Sequence, residues 1–209
     1  NHSSSTTSSD ATVGDILVGD VSIVAGADAS VSVTISNDAD VSGSGDASSG
    51  NITVGDITIN ADDGNGSIDF DVWNSAFADT GNASVGNITA GDITVTIGDD
   101  VSASVTLSNS ATVSVSGDAS VGDITVGNIS ASMGDTASLT FTISNSASAA
   151  SGEASVGSIV IGNVNASGGD TNDFNLYVYN NADANNTFDS TAGDVTVGDV
   201  NLTFGASAD

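Results

Sequence analysis

The sequence predicts an all-β solenoid (β-helix) in which repeats of about 36 residues are stacked as coils. Three observations favour this fold. A nine-residue phrase, clearest at 121–129 (VGDITVGNI), occurs six times at intervals of 36, 36, 36, 35 and 36 residues. A period this constant is typical of repeat architectures, in which each repeat must match its neighbours. Strand and turn residues dominate, helix formers are rare, and each repeat contains a segment of alternating polarity.

The charge of the chain excludes several partners. Its 209 residues include 26 Asp and one Glu but no Lys or Arg, so the net charge is −27. Nucleic acids and anionic membranes require cations on a protein that binds them. The longest apolar stretches are too short to span a bilayer. We therefore expect neither nucleic-acid binding nor membrane insertion.

Residues 1–12 (NHSSSTTSSDAT) are polar and of low complexity, so we expect a flexible N-terminal arm. The first residue is Asn rather than Met, which predicts a processed chain that is secreted and acts extracellularly or at the cell surface. Glycans are candidate partners at the Asn-x-Ser/Thr sequons. These sequons begin at Asn1, Asn51, Asn65, Asn82, Asn87, Asn128, Asn165, Asn185 and Asn201.

Five repeats are predicted over 13–191, each opening with the nine-residue phrase. Ile124 and Ile129 are five residues apart and would face opposite sides of one flat strand. A bulge or corner at Gly127 would bring both into the interior, so we interpret the phrase as two short strands joined at a glycine. The copies begin at Val13, Ser49, Val85, Val121 and Val156, with a sixth at Ala192.

A strand of strict alternation follows a turn rich in Gly and Asp, as in Leu139–Ile143, and its apolar side chains would share one face. We expect this strand to end at a corner that contains Asn, with a weaker segment of small residues closing the repeat. The corner residues would stack as amide ladders that hydrogen-bond to one another. They are Asn37, Asn74, Asn109, Asn145 and Asn180.

The partial sixth repeat, 192–209, is predicted to provide a terminal strand and a subunit joint. A regular β stack exposes unpaired edges at both ends, and no charged or helical cap is evident in the sequence. We expect the apolar residues of this repeat to form the subunit interface. They are Val195, Val197, Val200, Leu202 and Phe204.

The stretch 122–132 (GDITVGNISAS) resembles the repeats of filamentous-haemagglutinin-type β-helical surface proteins. The resemblance covers about a third of each repeat and implies a secreted protein that is adhesive or structural. An alternative fold remains open, because three or four strand-like pieces per repeat could also pair antiparallel in a β-sandwich or jelly roll.

Catalysis has little support in the residue types. The chain lacks Cys, Lys and Arg, and its single His lies at position 2, so nucleophilic and general-base sites lack partners. A carboxylate pair could act on glycosides, but the Asp residues recur with the period of the repeat, which indicates a structural role. We expect no enzyme.

Calcium is the one candidate cofactor. Stacked Gly-Asp pairs would bring hard oxygen ligands to one edge of the solenoid and would repel one another without cations. The sequence lacks known calcium-loop patterns, and solvated turn residues are the competing interpretation. The candidate ligands are Asp15, Asp20, Asp56, Asp92, Asp123, Asp194 and Asp199.

Taken together, these features favour a structural protein that assembles head-to-tail into an extracellular filament or sheath by β-strand addition. The main alternative is an adhesin or ice-binding module acting as a monomer, for which the Thr columns at 53, 89, 125 and 196 and at 58 and 94 are candidates. A polysaccharide-active β-helix enzyme is a third alternative. Trp73, Phe77, Tyr177 and Tyr179 are interpreted either as core fillers or as contact points between subunits.

Overall fold

A computed structural model describes residues 1–185 and 188–206 as a β-solenoid of about 36 residues per coil. The 24 strands, numbered along the chain, form four six-stranded sheets. Every strand pair within these residues is parallel. The predicted solenoid is therefore confirmed and the antiparallel sandwich is wrong. None of the residues described here belongs to a helix that could cross a membrane.

Sheet 1 is made of three-residue strands whose two outer positions face inward. These positions hold Ala and Val in most coils, small side chains that suit a thin core. The strands are β2 (Ala11–Val13), β6 (Ala47–Ser49), β10 (Ala83–Val85), β14 (Ala119–Val121), β18 (Ala154–Val156) and β22 (Ser190–Ala192).

The nine-residue phrase contains the strand of sheet 2 and begins the strand of sheet 3, and the predicted change of direction at its second glycine is confirmed. A glycine followed by Asp, Asn or, once, Ser turns the chain from sheet 1 into sheet 2 (corner 1–2), and a Gly-Asp or Gly-Asn pair turns it into sheet 3 (corner 2–3). Ile124 and Ile129 are both fully buried on either side of Gly127. Sheet 2 contains β3 (Ile16–Val18), β7 (Ile52–Val54), β11 (Ile88–Ala90), β15 (Ile124–Val126), β19 (Ile159–Ile161) and β23 (Val195–Val197). Sheet 3 contains β4 (Val21–Ala25), β8 (Ile57–Ala61), β12 (Ile93–Ile97), β16 (Ile129–Met133), β20 (Val164–Gly168) and β24 (Val200–Phe204).

Sheet 4 consists of five long strands that cross the whole width of the solenoid and of one short strand at its N-terminal end. The predicted corner at Asn is wrong, since the chain continues straight through it. Alternation persists across each Asn, so that Ile143, Asn145 and Ala147 all face inward and are fully buried. The strands are β1 (His2–Ser5), β5 (Ser30–Val41), β9 (Ser67–Thr80), β13 (Ser102–Ser116), β17 (Ser138–Ala149) and β21 (Asp173–Ala184).

Two cores lie side by side within each coil, one for each half of the long strand. The first half packs against sheets 2 and 3 through large side chains such as Phe70, Phe141 and Leu107. The second half packs against sheet 1 through Ala and Val alone. The buried Asn column lies at the boundary between the two cores, where the solenoid changes from wide to narrow.

Residues 1–12, expected to be a flexible arm, belong to the stack. His2–Ser5 form β1, which pairs in parallel with Asp38–Val41 of β5. The side chain of His2 lies 3.0 Å from the carboxylate of Asp38, and Ala11 opens β2. Small polar residues can form this strand because it is held in place by backbone hydrogen bonds to β5.

The partial sixth repeat adds a further coil to three of the four sheets. Its strands β22, β23 and β24 continue the registers of sheets 1, 2 and 3, whereas sheet 4 reaches only β21 in the described residues. Within that part of the chain, the C-terminal end of the solenoid therefore has a step one strand high. Residues 207–209 of this repeat lie outside the described residues.

Candidate assembly surfaces at the corners and ends

The corner residues that follow glycine link each coil to the next. At corner 1–2, the backbone N–H of Asn51 donates to Oδ1 of Asp15 at 2.7 Å. The N–H of Asn87 donates in turn to Asn51 Oδ1 at 2.8 Å, and that of Asp123 donates to Asn87 Oδ1 at 2.7 Å. Asp and Asn interchange in this column because both present the same oxygen at the same distance from the backbone.

Corner 2–3 repeats this arrangement with more carboxylates. The N–H of Asp56 donates to Asp20 Oδ1 at 3.0 Å, and the N–H of Asp92 donates to Asp56 Oδ1 at 2.9 Å. The column continues through Asn128, whose N–H lies 2.7 Å from Asp92 Oδ1. Each bond runs in the same direction, from the N–H of one coil to the side-chain oxygen of the coil before it.

Glycine precedes the corner residue because the previous coil lies too close for a side chain. A Cβ on Gly50 would lie 2.6 Å from Asp15 Oδ1 and 2.7 Å from the carbonyl carbon of Gly14. A Cβ on Gly86 would lie 2.7 Å from Asn51 Oδ1 and 2.8 Å from the carbonyl carbon of Gly50. Each coil therefore requires glycine in the coil that stacks on it.

Gly14 and Gly19 occupy the same two corners in the first coil, where this requirement is absent. A Cβ at either position would meet nothing within 4 Å. Within the described residues, the N–H groups of Asp15 and Asp20 have no acceptor, since no coil lies before them. The first coil thus presents the glycines and N–H donors that other coils use for stacking.

The last coil presents the matching acceptors and an apolar surface. No donor among the described residues reaches the side chains of Asp194 or Asp199. The five predicted interface residues lie on β23 and β24 and continue inward-facing columns of sheets 2 and 3. Three remain about half exposed because no described rung covers them: Val195 at 47%, Val200 at 52% and Leu202 at 52%. Val197 and Phe204 are partly buried against the core.

The Asp residues suggested as calcium ligands fall into two columns rather than one. Asp15, Asp123 and Asp194 lie at corner 1–2, where Asn51, Asn87 and Ser158 occupy the intervening coils. The others, Asp20, Asp56, Asp92 and Asp199, lie at corner 2–3. Among the described residues, no group of three or more acidic or His side chains is arranged to hold a metal ion. Calcium binding stays a prediction.

The buried Asn column differs from the predicted amide ladder. Its members stack in register, but they donate to the glycine carbonyls of corner 1–2 rather than to one another. Asn145 Nδ2 lies 3.1 Å from the carbonyl oxygen of Gly122, and Asn74 Nδ2 lies 2.9 Å from that of Gly50. Asn109 is the exception, because its amide nitrogen and oxygen are both buried without a partner in the described structure.

This contrast predicts a difference in stability. Asn145→Ala removes a buried hydrogen bond that Asn109→Ala does not, while both leave a similar volume at equivalent positions. We expect Asn145→Ala to lower the free energy of unfolding by about 1 kcal/mol more than Asn109→Ala. Chemical denaturation of the two variants measures this, and equal losses would contradict the assignment.

The remaining sequence candidates lie on outer faces. Thr53, Thr89 and Thr125 stack in one column of sheet 2, but Leu17 and Val160 occupy the same column. Thr58 and Thr94 stack on sheet 3. The interrupted columns do not form a uniform Thr face.

The aromatic residues of sheet 4 point outward and are not core fillers. Trp73, Tyr177 and Tyr179 are each about half exposed, and Phe77 is partly exposed. The rings of Tyr177 and Tyr179 are stacked, with centroids 6.3 Å apart and an interplanar angle of 9°. A contact role between subunits remains open for them.

No family model, no curated protein and no solved structure matches the chain. What the protein does must therefore be argued from its own geometry.

Proposed function

We propose that this chain is a secreted structural protein whose copies stack head-to-tail into an extracellular filament or sheath. The observation that carries the proposal is the complementarity of the two ends. N–H donors and unobstructed glycines lie at the first coil, and side-chain acceptors at the last. A contact between unlike ends repeats without closing, which produces a fibre.

Stacking would extend the corner columns from one copy to the next. The N–H groups of Asp15 and Asp20 in one copy would donate to the carboxylates of Asp194 and Asp199 in its neighbour. Gly14 and Gly19 would then face a coil at the distance seen at Gly50. In this arrangement the glycines of the first coil have the same steric role as those of every other coil.

The step at the C-terminal end accommodates a strand from the second copy. Asn181–Ala184 of β21 occupy the same register as Asp38–Val41 of β5, on which β1 lies. The β1 strand of the next copy would pair with Asn181–Ala184 in the same parallel manner. This is β-strand addition, in which backbone hydrogen bonds supply the affinity.

Apolar surface at both ends supports association in water. Ile16, Val18 and Val21 of the first coil are only partly buried, as are Val31 and Val33 of β5. The half-exposed residues of β23 and β24 would cover the first group. Burial of such side chains contributes roughly 25 cal/mol per Å² of apolar area.

Charge opposes assembly, which predicts a strong dependence on salt. Each copy carries −27, and the Debye length falls from about 30 Å at 0.01 M to about 3 Å at 1 M ionic strength. We expect monomers at the low end of this range and long fibres at the high end. Sedimentation velocity measures the monomer fraction and negative-stain microscopy shows the fibres, both at fixed protein concentration.

The same experiment also tests whether the Asp columns bind calcium. Sodium and calcium chlorides at matched ionic strength give equal assembly if the carboxylates are only screened, and calcium is more effective if the Asp columns bind it. A chain that stays monomeric at every ionic strength, with either salt, would contradict the proposed function.

A further inference from the structure

The outer face of sheet 3 contains a groove that the proposed assembly does not use. Its volume is about 320 Å³, and it spans strands β12, β16, β20 and β24. Two columns of side chains border it along the solenoid axis, one made of Thr, Ser and Asn and the other of Thr and Ser. One column consists of Thr94, Ser130, Asn165 and Asn201; the other consists of Thr96, Ser132, Ser167 and Thr203.

The floor of the groove coincides with the smallest inward-facing residues of the sheet. Along the column between the two borders, the side chains are those of Val95, Ala131 and Ala166, whereas the coils before and after have Ile59 and Leu202. The side chains of Val95, Ala131 and Ala166 point into the core and are at most 7% exposed, so the floor between the two polar rims is the backbone of the strands.

The face that contains the groove is free of charge. None of the strands of sheet 3 contains Asp or Glu, although the whole chain has 27 acidic residues. The carboxylates of this region are confined to the flanking turns, as at Asp92, Asp99 and Asp135. A protein with a net charge of −27 repels negatively charged polymers. The ligand of this face is therefore expected to be neutral or cationic.

We propose that the groove binds a neutral polysaccharide lying along the solenoid axis. Hydroxyl and amide side chains both donate and accept hydrogen bonds, as the hydroxyls of a sugar do. One pair of these side chains recurs per coil, which suits a linear polymer of repeating units. The concave shape lets the two columns of side chains reach the same polymer from opposite sides.

Two features distinguish this surface from an ice-binding plane. The groove is concave rather than flat. Its rims also mix Thr, Ser and Asn, so the side chains differ in length from coil to coil. A polysaccharide can follow such a surface because its glycosidic bonds and hydroxyl groups rotate, whereas an ice lattice is rigid.

The test uses the full chain at low ionic strength, so that it does not depend on the proposed assembly. Affinity electrophoresis is run in gels containing a soluble β-1,3-glucan, a galactomannan, an α-glucan or, as the acidic comparison, polygalacturonate. Ser132→Trp places an indole in the groove. Ser120→Trp, on the exposed outer face of β14, is the matched control. Circular dichroism confirms that both variants retain the β-sheet signal.

We expect at least one neutral polysaccharide to retard the native chain and Ser120→Trp, with affinity reduced about tenfold or more in Ser132→Trp. Polygalacturonate should not retard any of them. Absence of retardation by every neutral polymer, or equal retardation of the two variants, would overturn the proposal. Inhibition of ice recrystallisation that is lost in Ser132→Trp, without glycan binding, would overturn it in favour of an ice-binding surface.

Discussion

Gly14→Val is expected to abolish head-to-tail assembly while leaving the melting temperature of the single chain unchanged. Within one copy, a Cβ at this position meets nothing within 4 Å, and the backbone is not in the left-handed region. In a stacked pair, the same side chain would face the last coil of the neighbour and collide as it would at Gly50. Sedimentation velocity, microscopy and thermal denaturation measure the two effects separately.

Gly86→Val is the matched control, because Gly86 occupies the same corner inside the stack. Here a Cβ would lie 2.7 Å from Asn51 Oδ1 and 2.8 Å from backbone, so the coils must separate. We expect a loss of several kcal/mol in stability, as is usual for severe backbone collisions. If Gly14→Val assembles as well as the native chain, the corners do not form the joint and the proposed stacking geometry is wrong.

Deletion of residues 86–121 should give a folded solenoid one coil shorter. The deletion joins Val85 to Gly122, and Val85 pairs with Val121 in register, so the join reproduces a native connection. The long strands β9 and β17 would then stack with Asn74 beside Asn145. Since the stability of a solenoid is approximately a sum over repeats and their interfaces, only a modest fall in melting temperature is expected.

Deletion of residues 86–103, half that length, should destroy the fold. It joins β10 directly to Ser104, so that the alternating segment of β13 takes the place of sheet 2. Inward columns and corner residues then fall out of register in every later coil. Circular dichroism and size-exclusion chromatography compare the two deletions. A folded half-coil deletion, or an unfolded full-coil deletion, would contradict the equivalence of the coils.

The strands and corners of the nine-residue phrase could be predicted because two local signals agree there. The spacing of Ile124 and Ile129 requires a change of direction, and Gly127 allows one. At Asn145 the local signals conflict. Asn is frequent in turns, but Asn145 and Ala147 also satisfy the alternation of β17. The strand is favoured by a contact distant in sequence, the hydrogen bond that Asn145 donates to the carbonyl of Gly122.

The corner hydrogen bonds were not predicted, although the sequence contains a sign of them. Asp, Asn and Ser interchange at one position of the period, as in Asp15, Asn51 and Ser158, and what these residues share is a side-chain oxygen. By contrast, the free space at Gly14 has no sign in the sequence, because Gly14 and Gly50 have the same local context. Only the three-dimensional stack shows that one is constrained by a preceding coil and the other is not.

The bonds at corner 1–2 also bear on chemical ageing. Hydrolysis of the amide of Asn51 or Asn87 converts it to Asp, which retains the Oδ1 that accepts the next coil's N–H. Three successive carboxylates already occupy corner 2–3 at Asp20, Asp56 and Asp92. Simple deamidation therefore adds charge and, at Asn51, removes the side-chain hydrogen bond to Asp15, but it keeps the backbone-to-side-chain link between coils. A long-lived molecule of this design can accumulate such damage and keep its shape.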